Sequence, residues 1–236
     1  MFPIYHHNPA HLSHDTEVLE YDGPRIRVAS SPFYPGGGGQ PADRGTATVG
    51  GRSTEIAEIG IGHSPWLTLA EDLGAEREVT LDVDPDFRRL MSELHTATHI
   101  LNALVFRDFD GALVTGAQLA GDGTARLDFD LPGADNDRLR ALEDAIAEVR
   151  RQALPVRALY VDRAEAEAEP GLIRSKSVAP PPTEDGMIRV IEIAGLDRQA
   201  CGGTHVTDTG AIRPVRVLKV ENKGRQNRRI RIGLMS

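Results

Sequence analysis

Two short segments limit what this chain can fold into. His95-Thr96-Ala97-Thr98-His99 places two imidazoles four residues apart, and Cys201-Gly202-Gly203-Thr204-His205 places the only cysteine four residues from a further histidine. On a helix, positions i and i+4 lie one turn apart on one face, the geometry that two ligands of a single ion need. The glycines at 202 and 203 make the second pair a tight loop, in which both side chains can still face one ion. Three nitrogens and one sulfur suit zinc. The fold must therefore carry residues 95–99 and 201–205 to one point.

The other histidines lack this arrangement. His7 and His11 are also four apart, but Asn8-Pro9 between them breaks any helix, and they are read as surface residues with His6 and His14. His63, between Gly62 and Ser64, has no partner at ligand spacing. One cysteine permits no internal disulfide, so the chain reads as cytoplasmic. The start of the sequence lacks a signal-peptide pattern, and no apolar run approaches the roughly 18 residues of a membrane span.

A net charge of −8 argues against indiscriminate coating of nucleic acid, but binding responds to the local field. Between Arg213 and Arg231 lie Arg216, Lys219, Lys223, Arg225, Arg228 and Arg229 against one acid, Glu221. Alternating positions such as Arg229 and Arg231 share one face of a strand, where they can meet phosphates or guard an edge against aggregation.

Along the chain, residues 1–83 read as β: segments 17–20, 25–29, 46–49, 53–59 and 78–83 are broken by Gly, Pro and Asp, which favours a small barrel or sandwich. A helix is predicted from Asp84-Pro85, with Asp84 as cap. Phe87, Leu90, Met91, Leu94, Thr98, Leu101 and Val105 form its buried stripe, and His95 and His99 fall at the edge of that stripe. A hairpin over 112–119 and 124–129 follows, then a helix over 137–154, a strand at 156–161 and a short acidic helix at 164–168. Residues 170–182 are a loop or linker. Strands are predicted at 188–193, 213–220 and 228–234, the last two joined by residues 221–224. Without strict βαβ alternation the class is α+β: a small β-barrel-like domain over 1–83 and an α+β domain with a zinc site over 84–236.

The run Gly36-Gly37-Gly38-Gly39-Gln40 is not a phosphate loop, because no Lys-Ser or Lys-Thr follows. It puts an amide on a permissive turn, suited to hydrogen-bonding a ribose or an aminoacyl group. No Gly-x-Ser-x-Gly nucleophile elbow is present.

Taken together, His95-Thr-Ala-Thr-His99 and Cys201-Gly-Gly-Thr-His205 resemble the paired metal motifs of alanyl-tRNA synthetase editing domains and their freestanding relatives, the AlaX proteins. Ser31-Pro-Phe-Tyr-Pro35 through Gln40-Pro-Ala-Asp43-Arg-Gly45 resembles that family's glycine-rich motif, although the run 36–39 has glycine where many relatives have threonine or serine. Residues 204–210 and 221–224 resemble its C-terminal segments. With no aminoacylation core, the chain is similar to the medium-length AlaX group. The resemblance implies hydrolysis of tRNA-Ala misacylated with serine, and of the glycyl ester as a further substrate, with the tRNA-Ala acceptor end as partner and no obligate protein partner. It implies His95, His99, Cys201 and His205 as Zn2+ ligands, Thr115 and Gln40 as catalytic-site residues, and Asp43, Gln118 and Arg228 at the substrate. Thr115 aligns with a threonine that recognises the serine hydroxyl. An aminoacyl ester is already activated, so its hydrolysis needs a placed water and a polarised carbonyl rather than a protease triad. Two other classes fit the same residues: a non-catalytic RNA-binding module with structural zinc, and a metallohydrolase of small esters or amides.

Overall fold

A computed structural model describes residues 3–169, 171–172 and 186–236. Most of the linker expected at 170–182 lies outside the described residues. The chain divides into two compact units, the first running to Gly37 and resuming over Pro41–Arg89, the second comprising Gly38–Gln40 and the residues from Leu90 onward.

In the first unit a short helix, α1 (Ile4–His7), stops at Asn8-Pro9. Six strands follow: β1 (Ser13–Asp22), β2 (Arg25–Val28), β3 (Gly45–Val49), β4 (Arg52–Ile59), β5 (Trp66–Leu69) and β6 (Glu78–Val83). They close into a barrel in the order β1-β2-β5-β4-β3-β6, all neighbours antiparallel. Alternation explains the closure. On β6, Val79, Leu81 and Val83 point inward and Glu78, Thr80 and Asp82 do not. Ile26, Val28, Ala47, Val49, Leu67 and Leu69 supply the same face from the other strands. Sequence reading missed β5, a strand of four residues whose Trp66-Leu67-Thr68-Leu69 follows the polar loop of residues 60–65.

The long helix α2 (Pro85–Asp108) starts as expected, with Asp84 Oδ1 accepting from the backbone N–H groups of Asp86 and Phe87 at 3.0 Å. From Met91 to Val105 every residue is buried, so His95 and His99 do not sit at a stripe's edge; the helix has no solvent face over that stretch. Part of the polar surface this buries is matched internally: Thr96 and Thr98 hydrogen-bond to α2 carbonyls, and Asn102 Nδ2 donates to Gln199 Oε1.

The second unit adds two antiparallel sheets. β7 (Val114–Leu119) and β8 (Thr124–Asp130) form the expected hairpin. The expected helix over 137–154 is two, α3 (Asn136–Arg140) and α4 (Leu142–Arg151), which meet at Ala141, itself still in the αR conformation. Leu139, Leu142, Ile146 and Val149 still form one buried face. β9 (Val156–Asp162), α5 (Arg163–Ala168), β10 (Met187–Ile193) and β11 (Asp197–Ala200) follow, with sheet order β11-β10-β9. β12 (Val215–Lys223) and β13 (Asn227–Leu234) complete a sheet ordered β12-β13-β8-β7. Residues 221–223 are strand rather than connection: Glu221, Asn222 and Lys223 pair with Arg229, Arg228 and Asn227, leaving residues 224–226 as the turn. β11, four residues with three polar side chains, carries too little pattern for sequence reading to find.

Candidate metal centre

The two motifs meet. His95 and His99 project from α2 with ring centroids 5.1 Å apart, and His205 lies 4.5 Å from the first ring and 4.7 Å from the second. Cys201 Sγ stands 3.5 Å from His95 Nε2 and 3.4 Å from His205 Nε2. One donor atom from each of the four residues falls within 4.8 Å of all the others, and the residues are 5–9 % exposed. Metal–ligand lengths of about 2.0–2.1 Å for nitrogen and 2.3 Å for sulfur put the N–S edge of a tetrahedron at roughly 3.5 Å. The His95–Cys201 and His205–Cys201 separations match that edge, and with His99 within 4.8 Å of the other donors the residues present fit a four-coordinate ion.

The hairpin of β10 and β11 delivers the cysteine. Arg189, on β10, donates from Nη1 to the carbonyls of Cys201 and Gly203, both at 2.9 Å, and accepts at its own carbonyl from the Cys201 N–H. Gly203 is glycine for want of room: a Cβ there would lie 2.2 Å from the His95 ring and 2.7 Å from Gln40 Oε1.

Burial, and secondarily the Arg189 charge, lower His95 from 6.5 to about 3, which keeps the imidazole neutral and ready to donate a lone pair. Burial pushes the Cys201 thiol up, while Arg189 and the Gly203 N–H pull it down. A metal must displace the thiol proton, so uptake is favoured as pH rises.

The remaining candidates divide. Gln40 is 2 % exposed and joins the cluster directly: its Oε1 lies 2.7 Å from His95 Nδ1 and 3.1 Å from the Thr204 N–H, and its Nε2 donates to Thr204 Oγ1 at 2.9 Å. The glycines before it serve close approach. Gly39 accepts from the Leu119 N–H on β7, and a Cβ on Gly39 would meet the Ala117 carbonyl oxygen at 2.6 Å. Thr115 is the extra residue at a register shift between β7 and β8, half-buried on a bulge, a device that re-aims a side chain. Gln118 is exposed and accepts from Arg126 Nε.

Asp43 is spent on the first unit. Its carboxylate, with 0 % of the side chain exposed, takes the Arg88 guanidinium and the Tyr34 N–H. Arg228 lies on the inner face of β13 with Ile230 and Ile232, is 8 % exposed and donates to the Asn227 carbonyl. His63 does not belong to the donor cluster, and no second such cluster occurs among the described residues.

Arg229 and Arg231 do share a face, but Glu221 within the run and acids distant in sequence partner much of it. Arg229 chelates Asp128 at 2.6 and 2.8 Å, Arg231 and Lys219 flank Glu221, and Arg213 and Arg216 pair with Glu93 and Glu143. Arg229 and, less strongly, Arg126 hold the Asp128 carboxyl below the ordinary aspartate value. Sequence reading gave no role to Arg189, Thr96 or Ser92. Thr96, lying between the two histidines of the first motif, is the one visible signal among them.

Comparison with known proteins gives the chain's relatives. Residues 188–231 match the model of the threonyl and alanyl tRNA synthetase second additional domain. The chain is 32 % identical to the alanyl-tRNA editing protein AlaX-M of Saccharolobus solfataricus, covering 92 % of this chain and 94 % of that protein. It is 34 % identical to AlaX-M of Methanosarcina acetivorans, covering 91 % and 90 %. Identity to an alanine–tRNA ligase of Korarchaeum cryptofilum is 33 % over 91 % of this chain, which spans only 24 % of that ligase.

Proposed function

The chain belongs to the AlaX-M alanyl-tRNA editing proteins, and from that membership we propose that it hydrolyses the ester of tRNA-Ala misacylated with serine, using zinc held by His95, His99, Cys201 and His205. The buried cluster of three imidazoles and one thiol carries the reading. Zinc, when bound, polarises a carbonyl or lowers the pKa of a water. The chain's own residues do the rest. Arg189 holds the cysteine loop closed, and Gln40 ties that loop to His95. Overall, water adds across the acyl–oxygen bond, leaving free serine and a terminal ribose hydroxyl.

Thr115 is the residue that selects serine. Its hydroxyl hydrogen-bonds the substrate's hydroxyl, and an alanyl ester leaves that group unpaired. Its place on a strand bulge supports this role. The acceptor end of tRNA is the ligand, with Arg231 on the exposed face of β13 as a phosphate contact.

A second reading has one observation in its favour. Four protein donors fill a tetrahedron, as in structural zinc sites, which suits an RNA-binding module without catalysis.

Serine release from seryl-tRNA-Ala decides between them. The parent protein carries zinc and releases serine, and His99→Ala abolishes release. Thr115→Val narrows the preference for seryl over alanyl ester by about 3–10-fold, the value of one hydrogen bond. Tight tRNA binding with no release overturns the hydrolase reading in favour of the binding module. Cleavage of small esters but not of charged tRNA overturns both.

A further inference from the structure

The hydrogen bonds around the cluster specify which nitrogen carries the proton in two of its three imidazoles, His95 and His205. Thr204 N–H can only donate, and it points at Gln40 Oε1 from 3.1 Å. That fixes the amide's orientation, with the oxygen towards His95. Gln40 Nε2 donates to Thr204 Oγ1, which also accepts from Ser92 Oγ at 2.9 Å, so the other end of the amide is held as well. The oxygen 2.7 Å from His95 Nδ1 therefore accepts, and Nδ1 bears the hydrogen.

Thr96 makes the same argument for His205. The Ser92 carbonyl, 2.8 Å from Thr96 Oγ1, can only accept, so the threonine's single hydrogen goes there. What remains on Oγ1 is lone pairs. They accept from the Val206 N–H at 3.3 Å and from His205 Nδ1 at 3.1 Å. In both rings the hydrogen is thus on Nδ1 rather than Nε2, and in both Nε2 is the nitrogen beside Cys201 Sγ.

We propose that Gln40 and Thr96 are positioning residues that lock His95 and His205 in the Nδ1–H tautomer, so that two Nε2 lone pairs face the cysteine before any metal arrives. The inference rests on the zinc reading for its purpose but not for its geometry. It assigns the glycine run a task as well. Gly38–Gln40 clusters with the second unit, Gly39 lets the segment lie close against Ala117, and Gly203 leaves the space in which the Gln40 amide meets the ring. Orienting partners of metal-bound histidines of this kind are worth about 10–100-fold in affinity.

The experiment uses the full chain and Zn2+ alone. Long-range 1H–15N correlation on the metal-free parent shows the Nδ1–H pattern for His95 and His205. Chelator competition then shows affinity for Zn2+ about 10–100-fold weaker in Gln40→Met and in Thr96→Val, with unchanged far-UV circular dichroism. Gln40→Glu, which keeps an acceptor oxygen for Nδ1–H and for Thr204 N–H, restores affinity to within a few-fold of the parent, on the order of one neutral hydrogen bond. An Nε2–H pattern in the metal-free parent overturns the proposal, as does parent-like affinity in both Gln40→Met and Thr96→Val. A parent that takes up no Zn2+ overturns the zinc reading alone, because the tautomers are read without metal.

Discussion

A carboxylate with none of its side chain exposed must be matched in charge and in hydrogen bonds, and Asp43 is matched by one residue. Arg88 spends its guanidinium on Asp43 and on the carbonyls of Pro9 (2.7 Å) and Pro32 (2.8 Å), so one side chain ties together three segments of the first unit. Arg88→Ala leaves an unpaired buried charge and should cost about 3–5 kcal/mol, measured as a lowered urea midpoint for the barrel. Arg88→Lys recovers little, because an ammonium cannot span three acceptors in a plane. A parent-like midpoint in Arg88→Ala would show the pair to be neutral. At this scale the convergence of His95, His99, Cys201 and His205 into a cluster that could hold a metal was legible, because residue type and spacing carry that signal. The pairings of Asp43 with Arg88 and of Arg229 with Asp128 were not legible, because nothing in a local window shows which distant charge a fold will bring near.

Among the elements, those with a strong period were readable: β6 alternates, and α2 opens on Asp-Pro. Its burial from Met91 to Val105 was not, since the threonines and the asparagine look like a polar face until their internal partners are known. The glycine run is permissive in sequence but has no destination there. Its docking along β7 supplies one. Gly39 has φ +89° and no room for a Cβ beside Ala117, so Gly39→Ala must push the segment off the strand. Hydrogen exchange at the Leu119 N–H should then accelerate, and Zn2+ affinity should fall along with it because Gln40 moves too. Unchanged exchange at Leu119 would show that the segment tolerates the substitution in place.

For the whole molecule, charge is the property that sequence and structure weigh differently. The chain carries −8 overall, and acids from β8, α2 and α4 offset part of a C-terminal run that looks strongly basic in sequence. Binding of tRNA should therefore be moderate and salt-dependent rather than tight. Arg231, 46 % exposed along its side chain, is one cation positioned to release a counterion. Arg231→Gln should lower the slope of log affinity against log salt by about one. A slope equal to the parent's would remove this face from the tRNA contact. The α+β class and the β-rich first half were legible from pattern. The insertion of three early residues into the later unit was not, for it depends on contacts across most of the chain.

That insertion has a kinetic corollary. The bond from Gln40 to Thr204 spans 164 residues, and the one from Cys201 to His95 spans 106. At ribosomal speeds of about 5–20 residues per second, Gln40 waits on the order of ten to thirty seconds for its partner to be synthesised. During that interval the nascent chain displays a histidine pair without its thiolate. Completion of the centre is thus coupled to the late stages of translation, and a polypeptide interrupted before Cys201 has only half the donors of a stable site.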